Sequence, residues 1–282
     1  MNEGHARRKG APRVGMRAVA CILVLAAAGA FAWFGSHRGQ DLRGRASPAQ
    51  VASSLAGGTA WIWPASNGPL SAQDDTASYR EAAVLVESLV LRGDGVERGG
   101  RTQPLALPAG VRLVPVVHVE SAPGTPAGFT PAQSEAVVAA VRRHARLATA
   151  GAGVLQLDFE APARQREAYR ELVARVREAL PAGLRLSVTA LAHWCTQGDW
   201  LDRLPVDEVV PMLYRLGPRA DDWLRRFVQD DTGLARRCRG PALGFATNDP
   251  PPPALLARTA RPYWFDESAW SNPSRPPRHL DP

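Results

Sequence analysis

Short apolar runs rich in β-branched and aromatic residues recur along the chain after residue 58, each bounded by polar or turn-forming residues. They are Ala60–Pro64, Ala83–Leu91, Val111–Glu120, Gly153–Glu160, Leu184–Cys195, Val206–Tyr214, Ala242–Thr247 and Pro262–Phe265. Between several of them the spacing of apolar positions becomes helical. Thr130-Pro131 pairs an N-cap with a proline at the first helical position and predicts a helix to about Ala148. Arg164–Leu180 sets Tyr169, Leu172, Val173, Val176 and Leu180 on one face, and Asp222–Arg237 repeats the pattern through Trp223, Leu224, Phe227 and Val228. A short helix is expected near Pro253–Ala260. Strands alternating with helices predict a parallel sheet, and eight strands predict an α/β fold closed as a (β/α)8 TIM-like barrel. The barrel is irregular. Gly93–Gly110 is rich in glycine and arginine and residues 65–80 are polar, so one or two helices should be missing. An open doubly wound sheet is the alternative, although no glycine-rich phosphate loop follows the first strand.

The amino-terminal part follows a different pattern. Ala18–Gly35 carries no charge over eighteen residues, just long enough to span a bilayer as a transmembrane helix. The basic residues from Arg7 to Arg17 precede it, which keeps the amino terminus cytoplasmic and exports the body. The rival reading is a cleaved signal peptide with Ala28-Gly29-Ala30 as its cleavage site. Phe31, Trp33 and Phe34 continue the apolar run past that site and favour an anchor. The expected organisation is a cytoplasmic tail (1–17), an inner-membrane anchor (18–35), a flexible linker (36–57), a periplasmic barrel (58–270) and a disordered tail (271–282). Outside the anchor only Cys195 and Cys238 remain. Export permits a disulfide, but one cysteine follows a strand and the other precedes one. That places them at opposite ends of a barrel, and two separate buried thiols are expected.

Charge narrows the choice of partner. The formal net charge is +7, of which residues 1–57 supply +6. The body is nearly neutral and shows no basic patch with interleaved aromatics, so nucleic-acid binding is excluded. Lys9 is the sole lysine, which removes lysine Schiff-base chemistry from the folded domain. No cofactor is expected.

Barrel enzymes work at the carboxyl ends of their strands. Along Val154–Glu160, alternation sends Gln156, Asp158 and Glu160 to one face and Leu155, Leu157 and Phe159 to the other. The apolar face suits the helix layer, which leaves the three polar side chains inside. Buried carboxylates are costly unless paired, hydrogen-bonded or protonated, and crowding two of them raises one pKa. Neighbouring strand ends add His118 and Glu120, His193, Tyr214, Asn248 and Asp249. Trp61, Trp63 and Trp264 suit the mouth, where flat rings stack on sugars. A lone carboxylate at a strand end is more often a cap or a salt-bridge partner, and tryptophans are core residues first. His118, Glu120, Asp158, Glu160 and His193 are also ligand types for a divalent ion, but no ligand-spacing motif supports them and no metal is assigned.

These residues reach a resemblance. Val154–Glu160 is similar to the fourth-strand signature D-x-x-D-x-D-x-E of chitinase-type family 18 glycoside hydrolases, with Asp158 on the third aspartate and Glu160 on the terminal glutamate. Met212-Leu213-Tyr214 is similar to the M-x-Y of that clan's sixth strand. Gly153 and Gln156 stand where the first two aspartates would be, and Arg215 stands where an aspartate commonly follows the tyrosine. LQLDFEAP (155–162), LSVTALAHWC (186–195), VVPMLYRLG (209–217) and PYWFD (262–266) together resemble the bacterial Domain of Unknown Function 3142 family, over most of residues 58–270. The resemblance implies a glycosidase-like barrel of unestablished activity, and the leading expectation is a carbohydrate-active barrel facing the periplasm that acts on an envelope or exopolysaccharide glycan. Glu160 would be the general acid, Asp158 would tune it and orient the nucleophile, and Tyr214 would hold substrate. Trp63 and Trp264 would stack on sugar rings, and Gln156, His118, Glu120 and His193 would line the binding site. The missing relay aspartates favour an alternative, a non-catalytic glycan-binding or envelope-scaffold barrel.

Overall fold

The computed structural model describes residues 44–63, 79–100 and 107–265. Eight parallel strands form the barrel: β1 (Thr59–Ile62), β2 (Glu81–Arg92), β4 (Arg112–Ser121), β5 (Val154–Phe159), β6 (Arg185–Leu191), β7 (Glu208–Met212), β8 (Ala242–Ala246) and β9 (Arg261–Phe265). β1 pairs with β2 on one side and β9 on the other, which closes the sheet and excludes the open doubly wound alternative. The five helices among the described residues are α1 (Pro48–Gly57), α2 (Pro131–Ala150), α3 (Arg166–Ala179), α4 (Ala220–Val228) and α5 (Pro253–Arg258).

Local chemistry explains the helix starts. Thr130 Oγ1 accepts from Gln133 N at 3.1 Å and the Gln133 side chain accepts from Thr130 N at 3.0 Å, a reciprocal cap with Pro131 at the first position. α2 then buries Val137, Val138 and Val141, and α3 buries Tyr169, Leu172, Val173 and Val176, in the layer outside the strands. α4 ends at Val228, well short of Arg237. Asp230 takes φ +49°, a conformation aspartate tolerates and a helix does not, and the chain re-forms only as a 3-10 turn at Arg236–Arg239.

Part of the expected linker is ordered as α1. Its capping box joins Ser47 to Gln50, and Val51 and Leu55 pack on the core from partly buried positions. Two apolar residues are too few to show as a period in the sequence. Trp264 Nε1 donates to Ser54 Oγ at 3.1 Å, which fastens α1 over β9. No helix among the described residues is long and apolar enough to cross a membrane. The expected anchor, 18–35, and the expected tail, 271–282, lie outside the described residues.

The glycine-rich stretch after β2 turns back at Gly93-Asp94 into an antiparallel strand, β3 (Gly95–Gly100), paired to residues 87–92. A bulge between Leu85 and Glu87 changes which residues of β2 face inward. Ala83 faces the barrel interior, whereas Leu89 and Leu91 join the outer core. Glu87, 8% exposed, is turned onto α2, where Arg143 at 2.5 Å and His144 at 3.0 Å hold it.

Between β6 and β7 there is no α-helix, only 3-10 turns at Ala192–Thr196 and Trp200–Arg203. This connection packs on the turn before β8: Ala235 N donates to Cys195 O at 2.7 Å, and Arg236 N and Arg237 N donate to the Asp202 carboxylate. Cys195 and Cys238 are therefore neighbours joined as a disulfide, not separate thiols at opposite ends. The expectation failed because each cysteine stands on a 3-10 turn outside its strand, and the two turns pack on each other. The bridge closes a loop with a sequence separation of 43, and loop-closure entropy assigns it about 4 kcal/mol. The Cys195→Ser/Cys238→Ser double variant should lose stability on that scale in urea unfolding, and wild type in reductant should match it.

Candidate active site

The barrel interior is built from its amino-terminal end upward by polar groups that satisfy one another. At the bottom, Arg261 bridges Glu81 (3.3 Å) and Glu208 (3.0 Å), and Arg112 pairs with Glu81 at 2.5 Å. Tyr263 and Ser187 donate to Glu208 at 2.9 and 3.0 Å. One layer higher, the Gln156 amide donates to Ser187 Oγ at 3.2 Å and its oxygen accepts from Trp61 Nε1 at 2.7 Å. Gln156 is 0% exposed. It is a strut inside the barrel, with both ends of its amide held by Trp61 and Ser187. Trp61 lies flat enough against β8 that a Cβ at Gly244 would come within 2.6 Å of its ring.

Asp158 forms the next layer. Thr189 Oγ1 donates to its Oδ1 at 2.5 Å, and His118 Nδ1 lies 2.9 Å from its Oδ2. β4–β5 register sets His118 directly opposite Asp158. Trp63 meets the His118 ring edge-on at 5.0 Å. Burial alone would push the His118 pKa down, but the Asp158 hydrogen bond and charge, with Glu160 and Glu120 adding to them, hold it above its ordinary value.

Glu160 follows immediately beyond β5 on the same face, and it is exposed to solvent. Its pKa is pushed up to about 7, first by the surrounding protein, which thins its hydration, then by the Asp158 charge. His118 and Arg215 pull the other way, and Glu120 adds a smaller upward push. An accessible carboxyl that is half protonated near neutral pH can both give and take a proton. Arg215 leaves β7 with φ +53°, an uncommon conformation for a side-chain-bearing residue.

Aromatic rings stand on the same inner face. Tyr214 stacks on Phe265 at 5.8 Å and donates its hydroxyl to Met212 Sδ at 3.2 Å, while Trp61 packs on Tyr263 at 5.0 Å. Trp264 does not join them. It is 2% exposed and packs on Phe245 in the outer layer, because inward positions of β9 are Arg261, Tyr263 and Phe265. Phe265 and Thr189 are inner-face residues the sequence reading passed over. Both follow from strand parity; residue type drew attention to the tryptophan instead.

His193 also departs from expectation. β6 ends at Leu191, and His193 sits exposed on the following 3-10 turn. Burial and the charge of Arg166 hold its pKa below the ordinary value, so its electrical neighbour is an arginine, not the carboxylates. Asp249 turns toward the amino-terminal segment, 3.9 Å from Arg45. Among the described residues no group of three or more His, Cys, Asp or Glu side chains is arranged to hold a metal ion.

No family model and no curated protein sequence matches the chain, so the likeness to Domain of Unknown Function 3142 rests on the motifs alone. Among solved structures, the chain is similar to the Bacillus cereus spore cortex-lytic enzyme SleL, with 16% identity, a TM-score of 0.44 and 73% of this chain covered. The chain spans 60% of the length of that protein. It is also similar to a chitinase A candidate from Streptomyces coelicolor, with 12% identity, a TM-score of 0.45, and 77% of this chain and 97% of that one covered. The barrel assignment stands on strand order and closure, not on these likenesses.

The raised pKa of Glu160 has a consequence for stability. A carboxyl at about 7 when folded and near its ordinary 4.5 when unfolded binds more protons folded, so stability falls as pH rises between those values. His118, also raised, adds stability that is present at low pH and lost as pH rises through its folded pKa. Glu160→Gln should remove its part: the variant should gain on wild type from pH 5 to pH 8 in parallel thermal melts. A constant difference across that range would contradict the assignment.

Proposed function

We propose that the protein is a glycan-active barrel in which Glu160 is the general acid. The observation that carries this reading is an accessible Glu160 at the mouth, on the same strand face as an Asp158 carboxylate fixed by Thr189 and His118. Protonated Glu160 would deliver its proton to the glycosidic oxygen as the bond to the anomeric carbon breaks. Water would supply the hydroxyl to that carbon and return a proton, so the sum is hydrolysis. Asp158 keeps a negative charge beside Glu160 and favours its protonated form. It is held in place by Thr189 and His118, and it would orient the incoming water. Tyr214 and Trp63 would hold the sugar. We further propose that the barrel acts in the periplasm behind an anchor at 18–35, on an envelope or exopolysaccharide glycan; the Cys195–Cys238 bridge supports export.

A second reading, glycan binding without turnover, is favoured by one specific observation. Gln156, at a relay position of the family 18 signature, is locked to Trp61 and Ser187 and carries no charge to pass on. A glycan panel offered to the full-length protein separates the two. Glu160→Gln should reduce hydrolysis by roughly 10²-fold or more, and wild-type turnover should fall as pH rises through about 7 as the acid ionises. Binding that survives loss of both carboxylates, with no turnover at any pH, would select the second reading.

A further inference from the structure

Arg166, the first residue of α3, is held in place without a carboxylate among the described residues. Its guanidinium lies over the Trp200 ring at 5.4 Å, and its Nη2 donates to the side-chain oxygen of Gln197. Several other arginines in fixed positions are neutralised: Arg143 by Glu87, Arg177 by Asp207, Arg261 by Glu81 and Glu208. Arg166 Nε is buried with no acceptor, and so is Nε1 of Trp200, a residue only 8% exposed. Two N–H donors without acceptors therefore adjoin one uncompensated charge. The first turn of a 14-residue helix adds its own free N–H groups and positive end. His193 is exposed, with its pKa held below the ordinary value by burial and the Arg166 charge, and its ring nitrogens can hydrogen-bond a sugar hydroxyl. This corner belongs to the β5 and β6 exits, the same end of the barrel as Glu160.

We propose that Arg166, with Trp200, Gln197 and His193, forms a subsite for a carboxylate carried on the glycan, so that the natural ligand is an acidic polysaccharide. The inference rests on the reading that this end of the barrel binds glycan. A guanidinium oriented by an indole face presents its remaining Nη N–H groups to a carboxylate, a charge-assisted contact that arginine makes well. Neutral sugars would leave the charge unmatched.

The test uses the full-length chain carrying Glu160→Gln, so that binding is read without turnover. Short oligouronates and their carboxyl-reduced, neutral counterparts are titrated by calorimetry and tryptophan fluorescence. The expected result is that an oligouronate binds about tenfold or more tightly than its reduced form. Arg166→Gln should abolish that preference without changing neutral-sugar affinity. Arg166→Lys should retain part of it, and matching thermal melts establish that the variants are folded. Equal binding of charged and reduced forms, a preference that survives Arg166→Gln, or no binding of any oligouronate overturns the inference. If neutral glycans bind while oligouronates show no advantage, the acidic subsite fails and the glycan reading stands. If no saccharide binds, both fail.

Discussion

A closed barrel of eight strands has an interior that bulk water does not reach, so every polar group placed there must find its partner there too. That constraint organises this molecule from end to end. Glu81, Glu208, Arg112 and Arg261 neutralise one another at the bottom, with Tyr263 and Ser187 completing the acceptors. Gln156 continues the chain of bonds to Trp61. Asp158 ends it, satisfied by Thr189 and His118. Glu160 comes one step later on the same strand, where the wall opens. It is the first carboxylate that water reaches, yet protein on either side and Asp158 below still oppose its ionisation. Its readiness to exchange a proton near neutral pH is a result of standing at that boundary.

On the same strand, Gly153 and Gln156 are set by structural demands. Gly153 has φ +69° and its N–H closes the end of α2 on Ala148 O at 2.9 Å. A glycine is favoured there for its backbone. Gln156 spends both ends of its amide on structure. Glu160 is tuned first by desolvation, then by Asp158, with His118, Glu120 and Arg215 adding smaller effects.

The helix layer is uneven, and the irregularities compensate for one another. α1 covers β9 through the Trp264–Ser54 bond. β3 extends the sheet beside β2 beyond the reach of the four-residue β1. Where β6 and β7 lack a helix between them, two 3-10 turns and the Cys195–Cys238 bridge take its place. Those same turns bring Trp200, His193 and Gln197 up to Arg166.

Much of this was legible in the residues. Eight apolar runs predicted eight parallel strands, Thr130-Pro131 predicted the start of α2, and alternation along Val154–Glu160 predicted that Gln156, Asp158 and Glu160 share the inner face. These depend on near neighbours in sequence, where the strand period of two and the helical period act directly. What a side chain meets on that face depends on strands far apart in the chain, and only the tertiary structure decided it. The β4–β5 register paired His118 with Asp158, closure through β1 set Trp61 on Gln156, and the bulge after Leu85 sent Glu87 outward. Short connections brought Cys195 to Cys238 and left His193 with Arg166. Parity alone would have chosen Phe265 over Trp264, but α1, composed too sparsely to announce itself, is what buries the tryptophan. The sequence determined which residues were available to the mouth of the barrel. Long-range pairing in a space without water determined which of them were already used.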